Sequence, residues 1–515
     1  MGHPWTKVLL GISLLAAAAE WFASEDLALP FLEQLGGGGG GAAGSPTRAA
    51  NGTTFTPRLM AQQAFLAGPE GPVPAAPAPA APRVAECRLP LPPEYDYGPY
   101  APFSRIDLGA GADGVLAPRW GFGHVSPLLR KLAGGGCGKV VVIGGSMTKG
   151  RHCEQEENGH TTAPAPCTWS ARFAQWLRAA FPGASIDLAN IAQGAWDSQV
   201  WGVNLVNWAA EHRDADLVFL DTSINDGIFA QVNRNTPVAV VYERLLLVLG
   251  SLIPHAGIFA ILGACRECPL AVAEELLVLE HHGVPALDMQ PLREAFGDQV
   301  WPWYDADGHD IDDRHPPGRT HQAIADALAR MFARCWASVC PGLAAPPALA
   351  APRRAESMEG RVCSKPLSRY MAGDPNSSTP VVAEGDWRMY EDRPGKPGWM
   401  ASRKGSRLRF FLRFGPRPRL FVTYMRSYQN ISDSRLRALP TGDGAVLKGL
   451  WDAGCTERVS VAQTMWFERS PSEAAEEQSN EVHHFMASVA PNSGQTFEVE
   501  LLQDGKAKLI SVMSC

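Results

Sequence analysis

The sequence has no surplus of basic residues: 46 lysines and arginines stand against 53 aspartates and glutamates, a formal net charge of −7. It also has no basic run interleaved with aromatics, so it does not read as a nucleic-acid binder. Past the N-terminus no apolar run reaches the about 18 residues of a membrane span, which excludes a multi-span membrane protein. Cys265 and Cys268 sit three apart, but no second pair of ligands follows at a zinc spacing, and no thioredoxin-like setting surrounds them. No metal and no cofactor is expected. What the sequence has in excess is glycine and proline, 51 and 42 residues, together about 18% against a usual ~12%.

That excess gathers before residue 130, in the glycine run 36–41 and the Pro/Ala stretch 72–82. Residues 24–130 therefore read as a disordered stem, its end packing onto the next domain. Residues 1–23 read as a signal peptide or signal-anchor: Lys7 precedes an apolar run over 8–19, Ala17 and Ala19 give a small-x-small pattern, and Trp21 and Phe22 extend the run past Glu20. Sequons at Asn51, Asn376 and Asn430 and the 11 cysteines agree with a secretory route. The expectation is a glycoprotein, either secreted or held as a single-pass type II Golgi membrane protein by its N-terminus. Disulfides Cys153–Cys167, Cys335–Cys340 and Cys363–Cys515 are expected, although pairing is not readable from spacing.

Between 131 and 340 short apolar runs alternate with helical patterns. Strands are expected at 140–143, 185–188, 217–220, 258–262 and 284–287, and helices at 169–181, 238–252 and 270–281, with a last helix carrying Ile324, Leu328, Met331, Phe332 and Cys335. This predicts a five-stranded parallel, doubly wound, flavodoxin-like α/β/α sandwich, whose reactive groups lie at the carboxyl ends of the strands. A linker over 341–355 leads to 356–515, where runs at 408–414, 420–424, 459–465, 482–489, 497–502 and 508–513 predict an all-β sandwich. Its Trp387, Trp399, Tyr424, Tyr428 and Trp451 are candidates for stacking on sugar rings.

Ser146 follows the first strand on a Gly144-Gly145 turn, where a serine can be exposed as a nucleophile. Gly194 follows the second strand and offers a backbone N–H. Asn225 follows the third and offers an amide to an oxyanion. Asp312 and His315 precede the last helix at the spacing of a carboxylate that orients an imidazole. Asp310 and Asp313 read as solvated neighbours, His321 as a packing residue, and Lys149 and Arg151 as a solvated face. The Gly-x-Ser-x-Gly elbow fails at Thr148, and the α/β-hydrolase fold separates its Asp and His widely.

In order and placement, Ser146, Gly194, Asn225 and Asp312-x-x-His315 resemble the SGNH hydrolase superfamily, the GDSL-like esterases and lipases, over about residues 137–340. Gly145 stands where that family has aspartate, and Ser223 where it has glycine two before the asparagine. The resemblance implies a Ser146–His315–Asp312 triad with an oxyanion hole from Ser146, Gly194 and Asn225. It implies hydrolysis of an acyl ester; the polar surroundings and the β-sandwich make acetyl on a carbohydrate the expectation, with a small-molecule or glycan ester as substrate. Two other functions stay open: a Golgi O-acyltransferase acting on glycans, and an inactive glycan-binding protein. Oligomeric state is not readable.

Overall fold

The computed structural model describes residues 87–89, 122–153, 167–232, 237–304, 313–340, 366–392, 396–442, 444–450, 460–468, 486 and 488–515. The leader, most of the stem, Asn51, Asp310, Asp312, the linker 341–355, Cys363 and Trp451 lie outside the described residues. Among the described residues no helix is long and apolar enough to cross a membrane.

The first half is built on five parallel strands, β1 Cys137–Gly144, β2 Ser185–Asn190, β3 Leu217–Asp221, β4 Gly257–Leu262 and β5 Ala286–Asp288. They are ordered β2-β1-β3-β4-β5, the doubly wound order with its crossover beside β1. β3 and β4 are buried along their whole length, which is why they read as unbroken apolar runs. The flanking helices include α1 Ser126–Ala133, α2 Ser146–Lys149, α3 Trp169–Ala180, α4 Ser198–Asn204, α5 Val206–Ala209, α6 Ser223–Val232, α7 Val238–Leu252, α8 Cys268–His282, α9 Met289–Phe296 and α10 Gly318–Val339. Thr168 caps α3 by accepting the Ala171 N–H. Gly283 ends α8 in a left-handed conformation that needs no Cβ. Phe173, Phe219, Phe259 and Phe332 meet edge-on between sheet and helices, with Phe173 and Phe332 centroids 4.8 Å apart.

Two pieces of the segment expected to be stem belong to this half. Helix α1 starts at Ser126, and Cys87 is bonded to Cys340 at the end of α10. The Cys335–Cys340 pairing is thereby corrected: Cys335 is buried and unbridged. Five residues along a helix turn the two side chains about 140° apart, so they face different directions. Cys153–Cys167 forms as expected, Cys265 and Cys268 bridge each other, and Cys515 is disulfide-bonded.

The second half is all β, in two antiparallel sheets. One is β13-β12-β15-β10-β7, from Gly444–Leu447, Ser434–Leu439, Gly494–Leu501, Arg407–Arg413 and Val381–Glu384. The other is β14-β11-β16-β9-β8, from Val461–Glu468, Arg419–Arg426, Ala507–Ser514, Pro397–Ala401 and Arg388–Glu391, with β6 Ser368–Met371 added to β16. Leu408, Phe410 and Leu412 alternate inward on β10. The run expected as a strand at 482–489 is not one where it is described: the Val489 N–H closes a turn on the Met486 carbonyl.

Strand β11 joins the halves, because its two faces serve different cores. Leu420, Val422 and Tyr424 enter the sandwich core, while Phe421 packs with Val203 of α4 and Met513. Beside them the Asn204 amide donates to Thr423 Oγ1 (3.2 Å) and its carbonyl accepts from Ser511 Oγ (2.6 Å). Buried side-chain polar atoms on both halves are thus satisfied by each other.

Candidate active site

The turn bearing Ser146 is held from three sides. Gly144 has no room for a side chain: a Cβ there would lie 2.1 Å from Thr148 Oγ1 and 2.6 Å from the Asp221 carbonyl. Thr148 in turn donates to Asp221 Oδ2 (2.8 Å), which also accepts from Trp169 Nε1 (2.9 Å). Burial pushes the Asp221 carboxyl up to about 6, against these two hydrogen bonds that favour its charge. Asn190, at the end of β2, donates to the Thr148 carbonyl.

On this turn Ser146 Oγ lies 2.6 Å from His315 Nε2, a hydrogen bond across 169 residues of sequence. Both side chains are partly open to solvent. The His152 ring packs 5.3 Å from that of His315. The turn bearing His315 is clamped by the loop after β4 and by Trp301, which follows α9. The Arg266 N–H donates to Asp313 Oδ2 (2.6 Å), Trp301 Nε1 to the Asp313 carbonyl (2.9 Å), and Arg314 Nη2 to Glu267 Oε1 (2.6 Å). The Cys265–Cys268 disulfide closes that loop.

Asp313 is therefore not a solvated neighbour. It is buried, its carboxyl pushed up by burial, because it anchors the histidine turn. Sequence reasoning missed it since an Asp-Asp pair on a loop carries no burial signal. His321 is a packing residue, fully buried, with Nδ1 accepting the Trp169 N–H at 3.2 Å. Lys149 is half-buried rather than freely solvated, and burial lowers its pKa.

Gly194 lies beside Ser146, and Asn225 lies beside Gly145. The position of a Cβ on Gly194 is 3.6 Å from Ser146 Cβ, and the Gln193 N–H and Trp201 Nε1 both donate to the Gly144 carbonyl, two residues before Ser146. The next residue, Ala195, sits at φ 67°, a left-handed conformation that strains a non-glycine backbone. Asn225, in the first turn of α6, presses on Gly145: a Cβ there would stand 2.2 Å from Asn225 Oδ1. Glycine at 145 is thus matched to this asparagine. Ser223 has a place as well, accepting the Gly263 N–H with its hydroxyl at 2.7 Å.

Three of the sugar-stacking candidates are core residues: Trp387, Trp399 and Tyr424 are each at most 6% exposed. Tyr428 is exposed, as are Asn376 and Asn430. The aromatics the sequence reading overlooked lie near the site instead. Trp196, Trp201 and Trp208 meet edge to face within 5.4 Å of one another. Among the described residues one cluster, Glu243, His281 and His282, brings metal-ligating atoms within 4.8 Å of one another. Its two histidines precede β5 and so lie at the opposite edge of the sheet from Ser146.

No family model matches the chain, and no curated protein matches it. Among solved structures it is similar to a two-domain esterase (CEX) active on acetylated mannans, with a TM-score of 0.54 and 17% identity, covering 77% of this chain and 95% of that one. The same esterase co-crystallised with mannopentaose gives a TM-score of 0.54 and 16% identity over the same shares. Axe2, an acetylxylan esterase from Geobacillus stearothermophilus, gives a TM-score of 0.28 and 18% identity, covering 38% of this chain and 94% of that one. The first two likenesses show that this chain shares a fold in which a parallel α/β half is joined to an all-β half.

Proposed function

We propose that the protein is a serine esterase that removes an acyl group, acetyl in our reading, from a carbohydrate. The observation that carries this is the 2.6 Å contact of Ser146 Oγ with His315 Nε2 at the carboxyl edge of the sheet. That is the distance at which an imidazole takes a hydroxyl proton. In this reading Ser146 Oγ attacks the ester carbonyl as His315 accepts its proton. His315 then returns the proton to the leaving sugar hydroxyl, and a water repeats the cycle on the acyl-enzyme. The backbone N–H groups of Ser146 and Gly194 and the Asn225 amide hold the negative oxygen, and Asp312 orients His315. The acetyl and glycan parts are supported by the shared fold with an esterase whose substrates are acetylated mannans. The disulfides support a secretory location.

The test is hydrolysis of p-nitrophenyl acetate by the wild type, Ser146→Ala and His315→Ala. A loss of about 10⁴-fold or more in kcat is expected for each variant. A fluorophosphonate label on Ser146, absent in Ser146→Ala, is the second readout. Equal turnover in all three proteins would refute the mechanism.

A further inference from the structure

A cavity of about 350 Å³ opens between the α/β half and the β16 sheet, and Gly194 forms part of its wall. This is within the size range of small-ligand sites. Its α/β wall includes Asn207 and Trp208 of α5. Both polar atoms of the Asn207 side chain, donor and acceptor, are buried with no hydrogen-bond partner among the described residues. A buried amide left in this state costs stability unless a ligand or water meets it. Beside Asn207 the half-buried Trp208 ring gives the cavity wall an apolar surface on which a sugar ring can pack.

The opposite wall is cationic. Lys506 donates to Asp392 at 2.5 Å, and Lys508 donates to the same carboxylate and to the Lys396 carbonyl (2.6 Å). Two ammonium groups thus share one negative charge. Burial lowers the Lys508 pKa, and its neighbour Lys506 lowers it further, while Asp392 and, behind it, Glu391 oppose both. Lys396 extends toward the serine: its Nζ is 3.0 Å from where a Cβ on Gly194 would stand. Of the other carboxylates in the wall, Asp374 is paired with Arg369 and Glu211 is solvent-exposed.

From this juxtaposition we infer that the cavity binds an anionic sugar, with the ring against Trp208 and the carboxylate or sulfate on Lys396 and Lys506. The ester cleaved at Ser146 is then carried by an acidic glycan, on the same residue or its neighbour. That last step rests on the esterase reading; the binding does not.

The test is calorimetric titration of the full wild-type chain with three unacetylated disaccharides of equal linkage: neutral, uronate-bearing and sulfated. At least one anionic sugar should bind about tenfold or more tightly than the neutral one, with the advantage shrinking as salt rises. Which anion wins identifies the charged group. Lys396→Gln with Lys506→Gln should abolish the preference, and Lys396→Gln alone should reduce it if the double variant does not fold. Equal affinity for all three sugars, no binding of any, or a preference untouched by the lysine substitutions would overturn the inference. Loss of esterase turnover with the binding pattern intact would strike the proposed function and leave this site standing.

Discussion

His321 offers a direct way to weigh the energetics of the support around the Ser146 turn. Its imidazole is fully buried on the first turn of α10 and accepts the first N–H of α3. Burial, and then the Arg172 guanidinium, drive its pKa from 6.5 down to about 3. The folded protein therefore excludes the proton that the unfolded chain binds below pH 6.5. The stabilisation is complete above pH 6.5 and is lost as pH falls from there toward 3, at about 1.4 kcal/mol per unit. At pH 5.0 the loss is about 2 kcal/mol, a large part of a total stability of roughly 5–15 kcal/mol. His124, lowered to about 4 by burial, adds a loss of similar size. Asp221 acts oppositely. Its raised pKa of about 6 returns roughly 1.4 kcal/mol by pH 5.0, less than the two histidines together lose. In His321→Asn the Oδ1 replaces Nδ1 as acceptor and cannot be protonated, and the cost of the missing ring atoms does not depend on pH. Urea unfolding followed by tryptophan fluorescence should show the wild type losing about 2 kcal/mol more than His321→Asn between pH 7.5 and 5.0. Parallel pH profiles in the two proteins would refute the reasoning.

Gly145→Ala should drive a methyl into Asn225 and lower kcat on p-nitrophenyl acetate by about 10²–10³-fold with the melting temperature little changed. Asp221→Asn should gain about 2 kcal/mol relative to wild type as pH rises from 4 to 7, because the raised pKa makes the charged form costly in the fold; melting curves across that range check it. Thr168→Ala removes the acceptor for the Ala171 N–H and should cost about 1 kcal/mol in denaturant unfolding.

The α/β half was legible because its strands are buried on both faces and so lack any polar interruption, as 217–220 and 258–262 illustrate. Four of the site residues were legible because a doubly wound sheet delivers the ends of its strands to one edge. The described residues include Ser146, Gly194, Asn225 and His315 there, while Asp312 lies outside them. Helix α4 was not legible: Ser198, Gln199 and Asn204 interrupt its apolar spacing, and Asn204 is buried only because β11 and β16 pack on it. The second half was read less fully. The short strands at 381–384 and 388–391 are exposed throughout, so they show no alternation. The apolar run on β11 does not alternate because each face meets a different core. Asp313 and Asn207 owe their interest to tertiary burial, which their neighbours in sequence do not encode.

The Cys87–Cys340 bond joins residues 253 positions apart, whose Cα atoms are 5.5 Å from each other. It ties the chain just before the parallel sheet begins to the end of the last helix of that half. A pull applied to the N-terminal segment is therefore carried across the bridge to Cys340, and from there to the chain that leads into the second half. The five strands and the loops bearing Ser146 and His315 lie inside the closed loop, outside that line of tension. Mechanical load on the tail would leave the geometry of the serine and histidine unstretched for as long as the disulfide is intact, and reduction would put the sheet itself in series with the load.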